Sequence, residues 1–194
     1  MIRRGLLLVI AAAACSEPEK ELESGRRYIA IVYTDTTFES FSRTNKAVTG
    51  IVVSQGSDSL KFRIWTGADG LVSKVDLTLH PASDRGERPR TRVVPMPKGT
   101  LPLMGTSVAF LEQLLRRARA VGGDSVTIPV MLVGAQASLD VLTMIKNGSD
   151  SVVLVGADGN QAIGIHLAVD AQGRILGGGI PVSSMRIIDL DAAP

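Results

Sequence analysis

The 194-residue chain has one cysteine, Cys15, so no disulfide can form within it. It has two histidines, His80 and His166, and neither has a Cys or a carboxylate at metal-ligand spacing. No metal site and no cofactor are expected. The Gly-x-Ser-x-Gly elbow of Ser hydrolases is missing, and no Lys-Ser/Thr pair follows Gly177-Gly178-Gly179 to make a phosphate loop. That glycine run is expected to be a strand bend or bulge, where missing side chains let backbones approach. Aromatic residues make up only 4% of the chain, so a core must come from Val, Ile, Leu and Ala. The longest apolar stretch near the start, Gly5 to Ala14, is too short to cross about 30 Å of hydrocarbon at 1.5 Å per residue.

What is present begins with an address. Arg3 and Arg4 precede the apolar run Leu6 to Ile10, and Ala11 to Ala14 lead to Cys15. A short cationic start, a brief apolar stretch and small residues before a cleavage point are what export machinery reads. The formal net charge of +2 includes Arg3 and Arg4, and removing residues 1–14 leaves 19 basic against 19 acidic residues. A neutral mature chain argues against a nucleic-acid partner.

Residues Ser16 to Arg26 are charged and nearly free of apolar side chains, so residues 15–26 are expected to be a flexible tether reaching up to roughly 35 Å. Residues 27–194 are then a single domain. Within it, β-branched runs separated by turn residues predict strands near Tyr28 to Thr34, Lys46 to Ser54, Leu60 to Thr66 and Leu71 to His80. A second series is expected at Ser125 to Val133, Leu139 to Lys146, Ser151 to Val155, Gln161 to Val169, Arg174 to Gly178 and Ser184 to Leu190. Gly56-Ser57-Asp58-Ser59 followed by Gly67-Ala68-Asp69-Gly70 recurs as Gly148-Ser149-Asp150-Ser151 followed by Gly156-Ala157-Asp158-Gly159. This is either an internal repeat or the shared vocabulary of hairpin turns.

Between the series, Val108, Leu111, Leu114, Leu115, Ala118 and Val121 form a stripe at helical spacing. The spacing predicts a helix over Thr106 to Val121, capped by Thr106 or Ser107 and ended by Gly122-Gly123. The expected fold is α+β and mostly antiparallel: a half-barrel or meander of about ten strands with one amphipathic helix across one face.

The N-terminal pattern, Ala12-Ala13-Ala14-Cys15 followed by Ser16, resembles the export signal of bacterial lipoproteins. The resemblance implies removal of residues 1–14, lipidation of Cys15 and, because Ser16 is not aspartate, the periplasmic side of the outer membrane. An ordinary secretory signal would instead leave a soluble periplasmic protein. The expected architecture is similar to the half-barrels of lipoprotein localisation factors, which implies an apolar cavity between sheet and helix. Its lining would come from Leu111, Leu114 and Leu115, with Met96, Leu103 and Met104 at the rim. The basic segment with Arg85, Arg88, Arg90 and Arg92 is expected to be a solvated loop, or a contact to lipid phosphates or to a carboxylate. Three functions stay open at this point: a non-catalytic lipoprotein that binds a lipid or other apolar ligand, one that docks an envelope partner, and an enzyme assembled from dispersed residues such as His80, His166 and Asp76. The oligomeric state is left open.

Overall fold

A computed structural model describes residues 18–56, 58–67, 70–134, 137–157, 159–161, 164–181 and 183–192. Cys15 and the signal therefore lie outside the described residues. Thirteen strands and one helix follow in order: β1 (Glu21–Val32), β2 (Asp35–Thr44), β3 (Ala47–Ser54), β4 (Ser59–Thr66), β5 (Val72–His80), β6 (Arg90–Pro95), β7 (Leu101–Leu103), α1 (Val108–Val121), β8 (Ser125–Val133), β9 (Ala137–Lys146), β10 (Ser151–Val155), β11 (Ile165–Val169), β12 (Ile175–Gly179) and β13 (Arg186–Asp189). They form one sheet in the order β6-β5-β4-β3-β2-β1-β13-β12-β11-β10-β9-β8-β7. Every pairing is antiparallel except β7 with β8. The expected class holds, with thirteen strands in place of ten.

The additional strands are β2, β6 and β7. In β2 the inward positions are Glu39, Phe41 and Arg43, while Phe38 faces out. In β6 Arg90 and Arg92 pair with Leu79 and Leu77, on the concave face of the sheet. Charge at inward positions erases the apolar alternation by which a strand is recognised. The first part of β1 was concealed in the same way. Residues Glu21 to Arg26, expected in the tether, are strand, and Lys20 holds Asn45 through backbone and side-chain hydrogen bonds of 3.0 and 2.8 Å.

Two six-stranded meanders, β1 to β6 and β8 to β13, flank the helix. They wind the same way around the sheet, β1 corresponding to β8 and so on. The turns that match in sequence do not follow this correspondence. The β3–β4 joint and the β9–β10 joint lie at opposite ends of the strands, because strand directions alternate between them. Gly177, Gly178 and Gly179 do lie in a strand, and a Cβ on Gly178 would sit 2.3 Å from the His166 carbonyl oxygen. Ala168 pairs with Gly177 and Val169 with Ile175, so Leu176 is the extra residue of a bulge in this same strand, beside the glycines.

The sheet curls around α1. Val108, Ala109, Phe110, Leu111, Leu114, Leu115 and Ala118 are all buried, together with Glu112 and Gln113, so the first turns are enclosed nearly all round. Each buried leucine stabilises the fold by about 1.5–3 kcal/mol. Phe62 meets Phe110 edge-on at 5.2 Å, and Tyr28 stacks on Phe41 at 5.7 Å. The sheet is not closed. Its two end strands, β6 and β7, are joined by the short link Met96–Thr100 and leave a seam.

Candidate functional site

The helix defines two ends of the curled sheet, an upper one where α1 starts and a lower one where it finishes. At the upper end the start of the helix is satisfied by a strand. Ser107 occupies the cap position, but its hydroxyl donates to Glu39 Oε1 (2.6 Å). The Glu39 carboxyl also accepts from the amides of Val108 (2.6 Å) and Ala109 (3.1 Å). These are amides that a helix leaves unpaired, and the dipole there favours negative charge. Burial nevertheless dominates and pushes the Glu39 carboxyl up to about 7, against the pull of Ser107, Ala109 and Val108.

Beside it, the seam opens as a cleft of about 580 Å³ lined by Leu60, Leu77, Leu79, Met104 and Val133, with Arg90, Arg92 and Gly134. The wall follows from register. Leu60 pairs with Leu79 and Leu79 with Arg90, while Phe62 pairs with Leu77 and Leu77 with Arg92. Both rows end on a guanidinium of β6, one starting from Leu60 at the cleft and the other from Phe62 in the core. Arg92 Nη1 donates to the Gly134 carbonyl (2.8 Å), bridging from β6 to the loop after β8 across the seam. Arg90 pairs with Glu87 at 3.1 Å and stays largely exposed. An apolar trough with cations at its lip fits an amphiphile whose tail enters and whose polar group stays outside.

This changes the expected lining. Leu111, Leu114 and Leu115 are core residues at 0–1% exposure, Met96 is buried with them, and Leu103 is half-buried against the core. They fill the space between sheet and helix that the resemblance reserved for a ligand. Met104 alone of the six reaches the cleft. Of the four arginines, Arg90 and Arg92 are on β6 rather than in a loop, Arg88 is exposed in the turn before it, and the Arg85 side chain lies outside the described residues. Leu60, Leu77, Leu79 and Val133 were missed as lining. Their alternation is legible in the sequence, but the seam that exposes them depends on which strands end the sheet.

At the lower end the interior is ionic. Glu112, fully buried on α1, accepts from Arg26 Nη1 (2.9 Å), the Tyr28 hydroxyl (3.2 Å) and the Ile175 amide (2.9 Å). Arg26 reaches Asp189 as well (2.7 Å). Arg43 lies 3.6 Å from Glu112 and donates to Gln113 (2.6 Å), while Glu23 joins Arg43 to Arg116. Burial raises the Glu112 carboxyl above its ordinary value despite the Ile175 amide and the arginines, and the same burial lowers Arg43.

The residues considered for an enzyme site do not converge. His80 ends β5 and His166 lies on β11, with six strands between them in the sheet order. Asp76 accepts the Trp65 indole N–H and pairs with Lys74. Among the described residues no cluster of His, Cys, Asp and Glu is placed to hold a metal ion.

No family model matches the chain, and no curated protein matches it. Among solved structures, it is similar to the crystal structure of a DUF1089 family protein from Pseudomonas aeruginosa, with 12% identity and a TM-score of 0.57 over 88% of this chain and 95% of that one. At that identity the likeness concerns the fold alone.

Proposed function

We propose that this chain is a non-catalytic, lipid-anchored protein of the bacterial envelope that holds a lipid or other apolar ligand in the seam cleft. The observation that carries the reading is the apolar trough of Leu60, Leu77, Leu79, Met104 and Val133 beneath Arg90 and Arg92. An uncovered trough of this kind exposes Leu79 at 39% beside the core, a cost that a bound acyl chain would remove. Methionine at one wall suits tails of varied shape. The N-terminal pattern ending at Cys15 supplies the anchor, and Ser16 favours the outer membrane.

The test is titration of the full chain with a fluorescent fatty acid. Binding is expected in the parent and lost in Leu79→Arg and Met104→Arg, with the fold intact by circular dichroism. Equal binding by all three would overturn the reading.

A second reading is favoured by one observation. Phe38 and Ile188 are 50% and 43% exposed, and both pair with Ile29 across β2, β1 and β13 on the outer face. With a filled core, such a patch suits an envelope lipoprotein that docks a partner protein. Weaker partner capture by Phe38→Ser, with fatty-acid binding unchanged, would favour it.

A further inference from the structure

We propose that the lower end of the half-barrel is a bilayer-facing surface that binds anionic phospholipid headgroups. The inference deepens the anchor reading and adds an orientation to it. It starts from the six lysines, Lys20, Lys46, Lys61, Lys74, Lys98 and Lys146. Five of them belong to lower-end segments and only Lys61, near the start of β4, to the upper half. Lys20 lies against Asn45, Lys46 accepts the Thr66 amide through its carbonyl, Lys74 opens β5, Lys98 lies in the link after β6, and Lys146 ends β9. Strands that alternate in direction place all of these at one end.

Carboxylates at this end are mostly engaged by arginine. Glu19 pairs with Arg63, Asp170 with Arg174 and Asp191 with Arg27. Lys74 pairs with Asp76 at 3.2 Å, and the other lysines of this end are left more open. Among the described residues Lys20, Lys46 and Lys98 have no ion pair, and Lys146 has only a distant one, 3.8 Å from a nearly fully exposed Asp124.

Two further features fit a headgroup surface. A cleft of about 350 Å³ at this end is lined by Arg119, Lys146, Gly148, Ser149 and Ser151 over Met144, which sets cations and hydroxyls around a space for a phosphate. Trp65, the single tryptophan, lies near the end of β4 under Arg63 (3.9 Å) and Lys74 (4.8 Å), an amphipathic ring suited to the membrane interface. Ordered chain reaches this end too. Pro18, whose carbonyl accepts from Asn45, sits at this end, and Cys15 precedes it by three residues, a chain span of at most about 10 Å. A lipid on Cys15 would therefore hold this end against the membrane and turn the seam cleft away from it.

The test uses the full chain as the cell processes it, reconstituted with vesicles of phosphatidylcholine, with or without phosphatidylglycerol, and acetylated with a water-soluble amine reagent. Mass spectrometry reads each lysine and, separately, the lipid on the Cys15 peptide. Phosphatidylglycerol should slow modification of Lys46, Lys74, Lys98 and Lys146 several-fold and leave Lys61 unchanged. The double variant Lys98→Glu, Lys146→Glu, checked for its fold by circular dichroism, should lose the protection of Lys46 and Lys74. Equal labelling of all lysines in both vesicle types overturns the proposal. Protection on a chain without lipid supports the surface and removes the anchor, whereas lipid with uniform labelling removes the surface and keeps the anchor.

Discussion

The two ends of the molecule solve the same problem, a helix inside a curled sheet, with different chemistry. At the upper end a single carboxyl, Glu39, meets the amides at the start of α1, and the neighbouring wall is aliphatic and open along the seam. At the lower end Glu112 is locked to Arg26, Tyr28 and Ile175, and Arg43, Arg116 and Glu23 extend the network. The difference teaches where this fold can adapt. An end tied by charge-assisted bonds cannot open without leaving buried charges unpaired, whereas an end closed by apolar contacts and one arginine strap can.

The largest effect should come from breaking the lower end. Glu112→Ala removes the buried carboxylate shared by Arg26, Arg43, Tyr28 and the Ile175 amide, leaving Arg26 only Asp189 and Arg43 only Glu23 and Gln113, and should cost about 3–5 kcal/mol, measured by urea unfolding. Next comes the pH dependence of the upper end. Glu39 is raised in the folded chain to about 7, so its proton binds more tightly folded than unfolded. Its contribution to stability is present below the unfolded value near 4.5 and is lost as pH rises through about 7. Between those limits the parent should lose up to roughly 3 kcal/mol relative to Glu39→Gln. Parallel stability curves for the two would refute that assignment. Smaller again is Gly50→Ala, whose Cβ would meet the Ser40 carbonyl oxygen at 2.6 Å and Phe41 at 2.7 Å. It should destabilise by about 1–3 kcal/mol in thermal unfolding. The smallest change in stability, within about 0.5 kcal/mol, is expected for Leu79→Arg, which should nonetheless abolish fatty-acid binding.

The same contrast explains what was legible beforehand. The helix, its stripe and the ten aliphatic strands follow from period and turn chemistry, because their inward residues are apolar. Strand β2 was unreadable because Glu39 and Arg43 face inward and Phe38 outward, and β6 because Arg90 and Arg92 line a cleft rather than a solvated loop. Arg26, inward on β1, likewise disguised ordered chain as tether. At the site, Met104 and two arginines were found but the leucine wall was not. Pattern tells which face a side chain is on, while the position of a seam depends on which strands pair with none beyond them. The helix leucines mislead for a related reason, since an apolar stripe reads alike whether it faces a void or a filled core.

The account's central claim is that the seam cleft holds an apolar ligand, and native mass spectrometry of the chain purified from a bacterial envelope tests it most directly. A stoichiometric added mass of one lipid-like molecule, present in the parent and missing in Leu79→Arg, is the predicted result. A parent that carries no added mass, or one retained unchanged in Leu79→Arg, would contradict it.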